Sequence, residues 1–216
     1  LMSSELDYNI KQPVKFTTKT KTIIMLHGYG SNKEDLFSFS DYMNPDDLII
    51  SVQAPNKMDY GSYCWWAINL DESMKFTMEV SQAKESIELL NDFISMYLSK
   101  NYNFSFENVF LLGFSQGAMI AYALSINYPN LYKKVIALSG KIPNEVVKYK
   151  DRNNYLSHNF FCSHGIHDQV IPIHIGRESS EWLTKKEIRH IFIEFESQHG
   201  VSPENFEKMK SWIFEN

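Results

Sequence analysis

Six short apolar runs, spaced by longer stretches of mixed character, constrain this chain more than any other feature. They are Thr22–Leu26 (TIIML), Leu48–Val52 (LIISV), Val109–Leu112 (VFLL), Val135–Leu138 (VIAL), Asn159–Ser163 (NFFCS) and His190–Phe195 (HIFIEF). The runs are β-branched or aromatic in character and mostly continuous rather than alternating, which is the pattern of strands covered on both faces. The last is less apolar, as an edge strand is. Between them lie helical patterns. In Val80–Leu98 the residues Val80, Ala83, Ile87, Leu90, Ile94 and Leu98 recur at steps of three and four and so share one face. Gly117–Tyr128 is apolar almost all round, as a helix packed inside a layer would be, and Pro129 bars its continuation. Further helices are expected over Ile173–Lys186, after Pro172, and over Pro203–Phe214. Ahead of the first run, Leu6–Ile10 and Val14–Phe16 flank Lys11-Gln12-Pro13 and read as an antiparallel hairpin on the sheet's edge. Strands alternating with helices predict an α/β fold, a mostly parallel central sheet with helices on both faces.

Composition sets the limits. The 216 residues have no repeat, low-complexity tract or linker, so one domain over 1–216 is expected. Charged side chains number 21 basic and 26 acidic, a net −5, without a Lys/Arg block of the kind that reads phosphate backbones, so nucleic acid is not an expected partner. No apolar stretch approaches the roughly 20 residues of a membrane span, so no stable membrane insertion is expected. Leu1–Tyr8 carries two acids and neither a basic nor a hydrophobic run, so no secretory signal is read there. Cys64 and Cys162 are too few and too distant for a disulfide framework or a zinc site, which suggests a reducing, cytoplasmic setting. The sequence leaves oligomeric state open, a homodimer included.

Chemistry enters with Gly113-Phe114-Ser115-Gln116-Gly117. G-x-S-x-G alone is a loose pattern, but here it follows one apolar run directly and opens a helix, so a tight strand-to-helix turn carries Ser115. Glycines two before and two after relieve the crowding of such a turn, and the hydroxyl projects beyond the sheet's carboxyl edge. The structural alternative is that Ser115 only caps the helix. A nucleophilic serine needs a base and a group to orient that base. Asp168, in His164-Gly165-Ile166-His167-Asp168, follows the NFFCS run, and His199 follows HIFIEF, so both fall at the edge that displays Ser115, in the order serine, acid, histidine. Taken alone, Asp168 is a loop or helix cap and His199 a solvated loop histidine.

The other histidines fit less well. His158 and His190 lie at the opposite edge, His174 reads as surface, and His167 cannot easily face its neighbour Asp168. His27 and His164 each precede a glycine at a strand end and are expected to buttress loops through hydrogen bonds. Metal binding by His164 and His167 lacks an accompanying ligand set. An oxyanion site requires two N–H donors: the backbone of Gln116, after the serine, and that of Tyr29 in His27-Gly28-Tyr29-Gly30, where flanking glycines let the backbone approach a ligand. No metal or organic cofactor is required.

The segments HGYGSN, GFSQGA and HGIHDQVIP, with a histidine just past the last strand, resemble the phospholipase/carboxylesterase family of α/β-hydrolases, which includes acyl-protein thioesterases and small bacterial carboxylesterases. The likeness runs from about Thr22 to the C-terminus. It implies Ser115 as nucleophile, His199 as base, Asp168 as orienting acid, and Tyr29 and Gln116 as oxyanion donors, the positions the residues reach on their own. Gly61-Ser62-Tyr63-Cys64-Trp65-Trp66 is similar to a family segment that lines the active site, which implies that Trp65 walls an acyl pocket; Trp66 is equally well a pocket wall or half of a core aromatic pair. The chain departs from the family pattern at Gln198, where a glycine is usual, at Tyr29, where small aliphatics are common, and at Ala118, where a further glycine is frequent. None of these is a reacting group. Met58, Met74, Phe76 and Met78 add apolar surface near the two tryptophans, whether for an acyl group or for the core. The implied activity is hydrolysis of small-molecule carboxylic esters or thioesters through an acyl-enzyme. The rivals are a non-catalytic binding module on a hydrolase scaffold, a peptidase of the same fold and a lactone hydrolase of the dienelactone type, which would place Cys at 115.

Overall fold

All six apolar runs become strands of one sheet in the computed structural model, which describes residues 5–216; the first four residues of the stretch in which no signal was expected lie outside the described residues. In chain order the elements are β1 (Tyr8–Lys11), β2 (Thr22–Leu26), α1 (Glu34–Phe37), β3 (Leu48–Val52), β4 (Asn56–Lys57), β5 (Tyr63–Cys64), β6 (Ile68–Leu70), β7 (Phe76–Met78), α2 (Val80–Asp92), α3 (Ser99–Tyr102), β8 (Val109–Phe114), α4 (Gln116–Asn127), β9 (Lys134–Leu138), β10 (Asn159–Gly165), α5 (Ile173–Lys185), β11 (His190–Phe195) and α6 (Pro203–Glu215). The main sheet has the order β1-β3-β2-β8-β9-β10-β11, parallel except for β1, which runs antiparallel to β3. Two short antiparallel pairs, β4 with β5 and β6 with β7, stand apart from it.

The continuous apolar runs are explained by cover on both faces. Ile24, Leu26, Ile50, Val109, Leu111 and Phe160 face α2, α4 and α5 in one core. Their neighbours Ile23, Met25, Ile49, Phe110, Leu112 and Phe161 face α1 and α6 in the other. α4 is buried along nearly its whole length, as its uniform apolar character predicts. The 80–98 helix forms with Ala83, Ile87, Leu90, Ile94 and Leu98 buried, but Phe93–Leu98 is a wider π-type turn. β11 is the edge strand expected of its weaker hydrophobicity.

One expectation is corrected. The N-terminal hairpin has a single strand, β1, because residues 14–16 are irregular. Pro13 has no N–H for a ladder, Val14 donates its own N–H to Pro45 O, and Val14 and Phe16 are exposed, so no apolar face holds a second strand in register.

Topology determines where chemistry can occur. From β2 the chain turns to β3 on one side, and β8 later lands on the other, so the loops after β2 and β8 separate at the sheet's carboxyl edge. Such a switch point leaves a crevice for a ligand.

Candidate active site

Ser115 stands between β8 and α4 at φ 56° and ψ −117°, a strained position for a residue with a side chain. Its N–H donates to Leu138 O at 2.9 Å, anchoring the turn to β9. The glycines on either side are required for space. A Cβ on Gly113 would come 2.1 Å from Gly117 O, and one on Gly117 would come 1.9 Å from Leu26 O. The elbow is therefore pressed directly against the end of β2. The capping alternative fails, since the Ser115 side chain makes no cap hydrogen bond to α4. It reaches His199 instead, with 3.0 Å between Oγ and Nε2.

His199 lies in the loop after β11, and its ring packs at 4.9 Å from that of Phe114. Its Nδ1 is 2.7 Å from Asp168 Oδ2. A carboxylate only accepts, so Nδ1 carries the hydrogen; Nε2 of the neutral ring is then free to accept from the serine hydroxyl. Asp168 is 5% exposed, and its second oxygen accepts the N–H groups of Val170 at 2.9 Å and Ile171 at 2.8 Å. The two loops are joined as well: His167 N–H donates to Ser197 O at 3.0 Å. Three residues from separate loops thus form one hydrogen-bonded chain, buried at the acid and open at the hydroxyl.

On the β2 side, the Tyr29 N–H finds no acceptor among the described residues. The N–H of Gln116 belongs to the first turn of α4, where backbone donors have no partner within the helix. Gln116 follows Ser115 directly, and Gly28, next to Tyr29, lies against it, an added Cβ there coming 3.4 Å from Ser115 Cβ; the start of α4 makes this corner favourable to negative charge. A nucleophile, a base, an orienting acid and two backbone donors can perform acyl transfer.

The sequence matches the phospholipase/carboxylesterase family over residues 11–215. The chain belongs to this family. Acyl-protein thioesterase 1 of Candida albicans is 26% identical over 208 residues, covering 89% of each protein, and acyl-protein thioesterase 1 of Saccharomyces cerevisiae is 32% identical over 114 residues, covering 50% of this chain and 49% of that protein. The Bacillus cereus carboxylesterase structure superposes with a TM-score of 0.84 at 20% identity, covering 98% of this chain and 95% of that one. This places the chain among the α/β-hydrolases, in a family of esterases and acyl-protein thioesterases.

In this member of the phospholipase/carboxylesterase family the two tryptophans pack inside the protein. Trp65 is 0% and Trp66 1% exposed, and hydrogen bonds make Trp65 a brace between two loops. Trp65 Nε1–H donates to His27 O at 2.8 Å, its backbone N–H donates to Gln116 Oε1 at 2.8 Å, and Gln116 Nε2 donates to Trp66 O at 2.9 Å. The Gln116 side chain and Trp65 therefore tie the loop after β2 to the start of α4, the two places from which the backbone donors come. Burial lowers the pKa of His27, whose Nδ1–H donates to Gly28 O at 2.8 Å while Nε2 accepts from Ala54 N–H at 3.0 Å. His27 and His164 buttress loops as expected. The prospective metal pair separates: His164 is buried on Ile171 O at 2.7 Å, and His167 is exposed on Glu196 at 2.8 Å. The bracing by Trp65 and Gln116 leaves no trace in sequence spacing, because each of its bonds has a backbone group as one partner.

The apolar residues around the tryptophans divide differently. Ile68, Leu70, Met74 and Phe76, on and around the β6–β7 hairpin, are exposed. Among the described residues no helix is long and apolar enough to cross a membrane, and no three His, Cys, Asp or Glu side chains group as metal ligands.

Proposed function

We propose that the protein is a serine hydrolase that cleaves small to medium carboxylic esters or thioesters through an acyl-enzyme on Ser115. The observation that carries this reading is the unbroken chain from the Ser115 hydroxyl through His199 to Asp168, at 3.0 and 2.7 Å. His199 takes the proton as Ser115 Oγ attacks the acyl carbon. The N–H groups of Tyr29 and Gln116 hold the oxyanion, and Asp168 stabilises the imidazolium. His199 then protonates the departing alcohol or thiol, and water repeats the sequence to free the acid and restore Ser115. No step requires a metal or an organic cofactor. We further propose that a single domain performs the reaction in the cytoplasm, a setting compatible with two buried, unpaired thiols, Cys64 and Cys162.

The test is active-site labelling joined to a substrate series. A fluorophosphonate should add one equivalent of mass to the wild type and none to Ser115→Ala, and p-nitrophenyl esters from acetyl to palmitoyl, with acyl-CoA and a lysophospholipid, should locate the preferred acyl group. Absence of labelling together with absence of hydrolysis across the series would leave a binding module. A steep fall beyond butyryl would exclude long-chain lipids as substrates.

A further inference from the structure

Asp168 is held from two sides, and only one of them is His199. At the end of β10 the ring of His164 is buried and its Nε2 lies 2.7 Å from Ile171 O. A carbonyl only accepts, so this nitrogen carries the hydrogen. The same Nε2 is 3.4 Å from Asp168 Oδ2, the oxygen that accepts from His199. Ile171 completes the circuit, because its N–H donates to Asp168 Oδ1 at 2.8 Å. His164 thus grips the carbonyl of the residue whose amide grips the carboxylate. Behind it, Gly176 of α5 leaves room for the ring and nothing more: a Cβ there would lie 2.6 Å from His164 Nδ1.

From this geometry we infer that His164 is a positioning residue for the reaction, fixing the angle from which Asp168 meets His199 without touching substrate itself. The inference rests on the reading of Ser115, His199 and Asp168 as a catalytic unit. Such a unit depends on the third group holding the imidazole in one tautomer and one orientation, and a displacement of about 1 Å can cost up to about 100-fold in rate. Without His164, the loop from Asp168 to Ile171 would keep its two N–H bonds to Oδ1 but lose the anchor that sets where Oδ2 lies. Other titratable groups nearby are engaged elsewhere: Glu194, beside His164 across β10 and β11, is paired with Arg177 at 2.6 Å, and His167 is paired with Glu196 on the surface.

The experiment compares His164→Phe, which keeps a ring and removes the donor, with His164→Gln, whose amide N–H can reach the Ile171 carbonyl. Gly176→Ala leaves the histidine in place but displaces its ring. Each is measured for kcat and KM on one p-nitrophenyl ester, for the pH–rate profile, and for the low-field proton resonance of His199 Nδ1–H. The expected result for His164→Phe is a fall in kcat of about 10- to 100-fold with KM nearly unchanged. Its acid limb should move to lower pH, because a loosened Asp168 stabilises the His199 imidazolium less, and its low-field resonance should shift or broaden. His164→Gln should recover most of the rate, and Gly176→Ala should reproduce the loss. A folded His164→Phe protein with wild-type kcat, acid limb and resonance overturns the proposal. If that variant cannot be purified, wild-type behaviour of Gly176→Ala overturns it instead. Failure of the catalytic reading itself would be seen separately, as a wild type that neither labels at Ser115 nor turns over.

Discussion

Asp168 and Asp47 occupy opposite edges of the same sheet, and each is 5% exposed. Asp168, at the carboxyl edge, accepts two backbone N–H groups and the His199 ring. Asp47, at the amino edge before β3, has no hydrogen bond to its carboxylate among the described residues. Burial pushes its pKa up to about 6, with Lys21 opposing the rise and Asp46 adding to it. It lines a cleft of about 620 Å³ with Lys21, Lys210, Tyr42 and Phe214. This cleft lies at the edge of the sheet opposite Ser115. Lys21 there is committed to the last carbonyls of α6, including Phe214 O at 3.0 Å, so the nearby charges serve the fold. A buried carboxylate becomes chemically useful when oriented donors fix its charge and a titratable partner uses it; enclosure alone gives only an acid that resists ionising.

The largest effects should separate these two acids. Ser115→Ala should remove about six orders of magnitude from kcat, and Asp168→Asn about four, since an asparagine amide favours the wrong His199 tautomer. Asp47→Asn should leave kcat and KM at wild-type values. Steady-state kinetics on one ester decides the matter; an Asp47 variant as impaired as the Asp168 variant would erase the contrast.

Spatial crowding provides the next test. Gly117→Ala drives a Cβ into Leu26 O and should destabilise by at least about 3 kcal/mol in urea unfolding, with activity lost as the elbow moves. Gly200→Ala, beside His199 but with nothing within 4 Å of its added carbon, should be nearly neutral. A smaller loss is expected from Trp65→Phe, which keeps a ring in the core but leaves His27 O without its indole donor. A cost of about 2 kcal/mol and a fall of about 10-fold in kcat follow if the brace holds the oxyanion loop. Unchanged kcat with lowered stability would make Trp65 a core residue only.

How far these features can be read in advance depends on what holds them. The parallel strands are legible because cover on both faces forces unbroken apolar runs, and Ser115, Asp168 and His199 are legible because each must follow a strand in a fixed order. Val14 and Phe16 mislead because apolar character predicts a strand only if something buries it, and here nothing does. Trp65 and Trp66 are hard to read for the converse reason. A wall and a brace need the same side chain, and what distinguishes them is a bond from Trp65 to a carbonyl 38 residues away, which no local pattern records. The wide turn at Phe93–Leu98 is similarly silent, since Ile94 and Leu98 stay on the buried face.

The smallest effect concerns stability against pH. The folded state raises the Asp47 pKa from 3.8 to about 6, so between those values the folded chain holds the proton more tightly than the unfolded one. Stability from this group therefore falls as pH rises through that window and stays lowered above it. His158 acts in the opposite sense. It is buried, neither ring nitrogen has a hydrogen-bond partner among the described residues, and burial lowers its pKa from 6.5 to about 4, so it destabilises the fold as pH falls from 6.5 towards 4. In the wild type the two slopes oppose each other between about pH 4 and 6. Asp47→Asn should break that balance: its Tm should match the wild type near pH 4 and exceed it above pH 6, by an amount equivalent to about 1 kcal/mol, since water in the cleft softens the burial penalty. The variant should also become visibly acid-labile, with the slopes of His158 and of the buried His27 left unopposed by Asp47. Parallel melting curves for the two proteins across this range would instead mean that Asp47 is as well solvated as a surface carboxylate, and the contrast with Asp168 would reduce to hydrogen bonding alone.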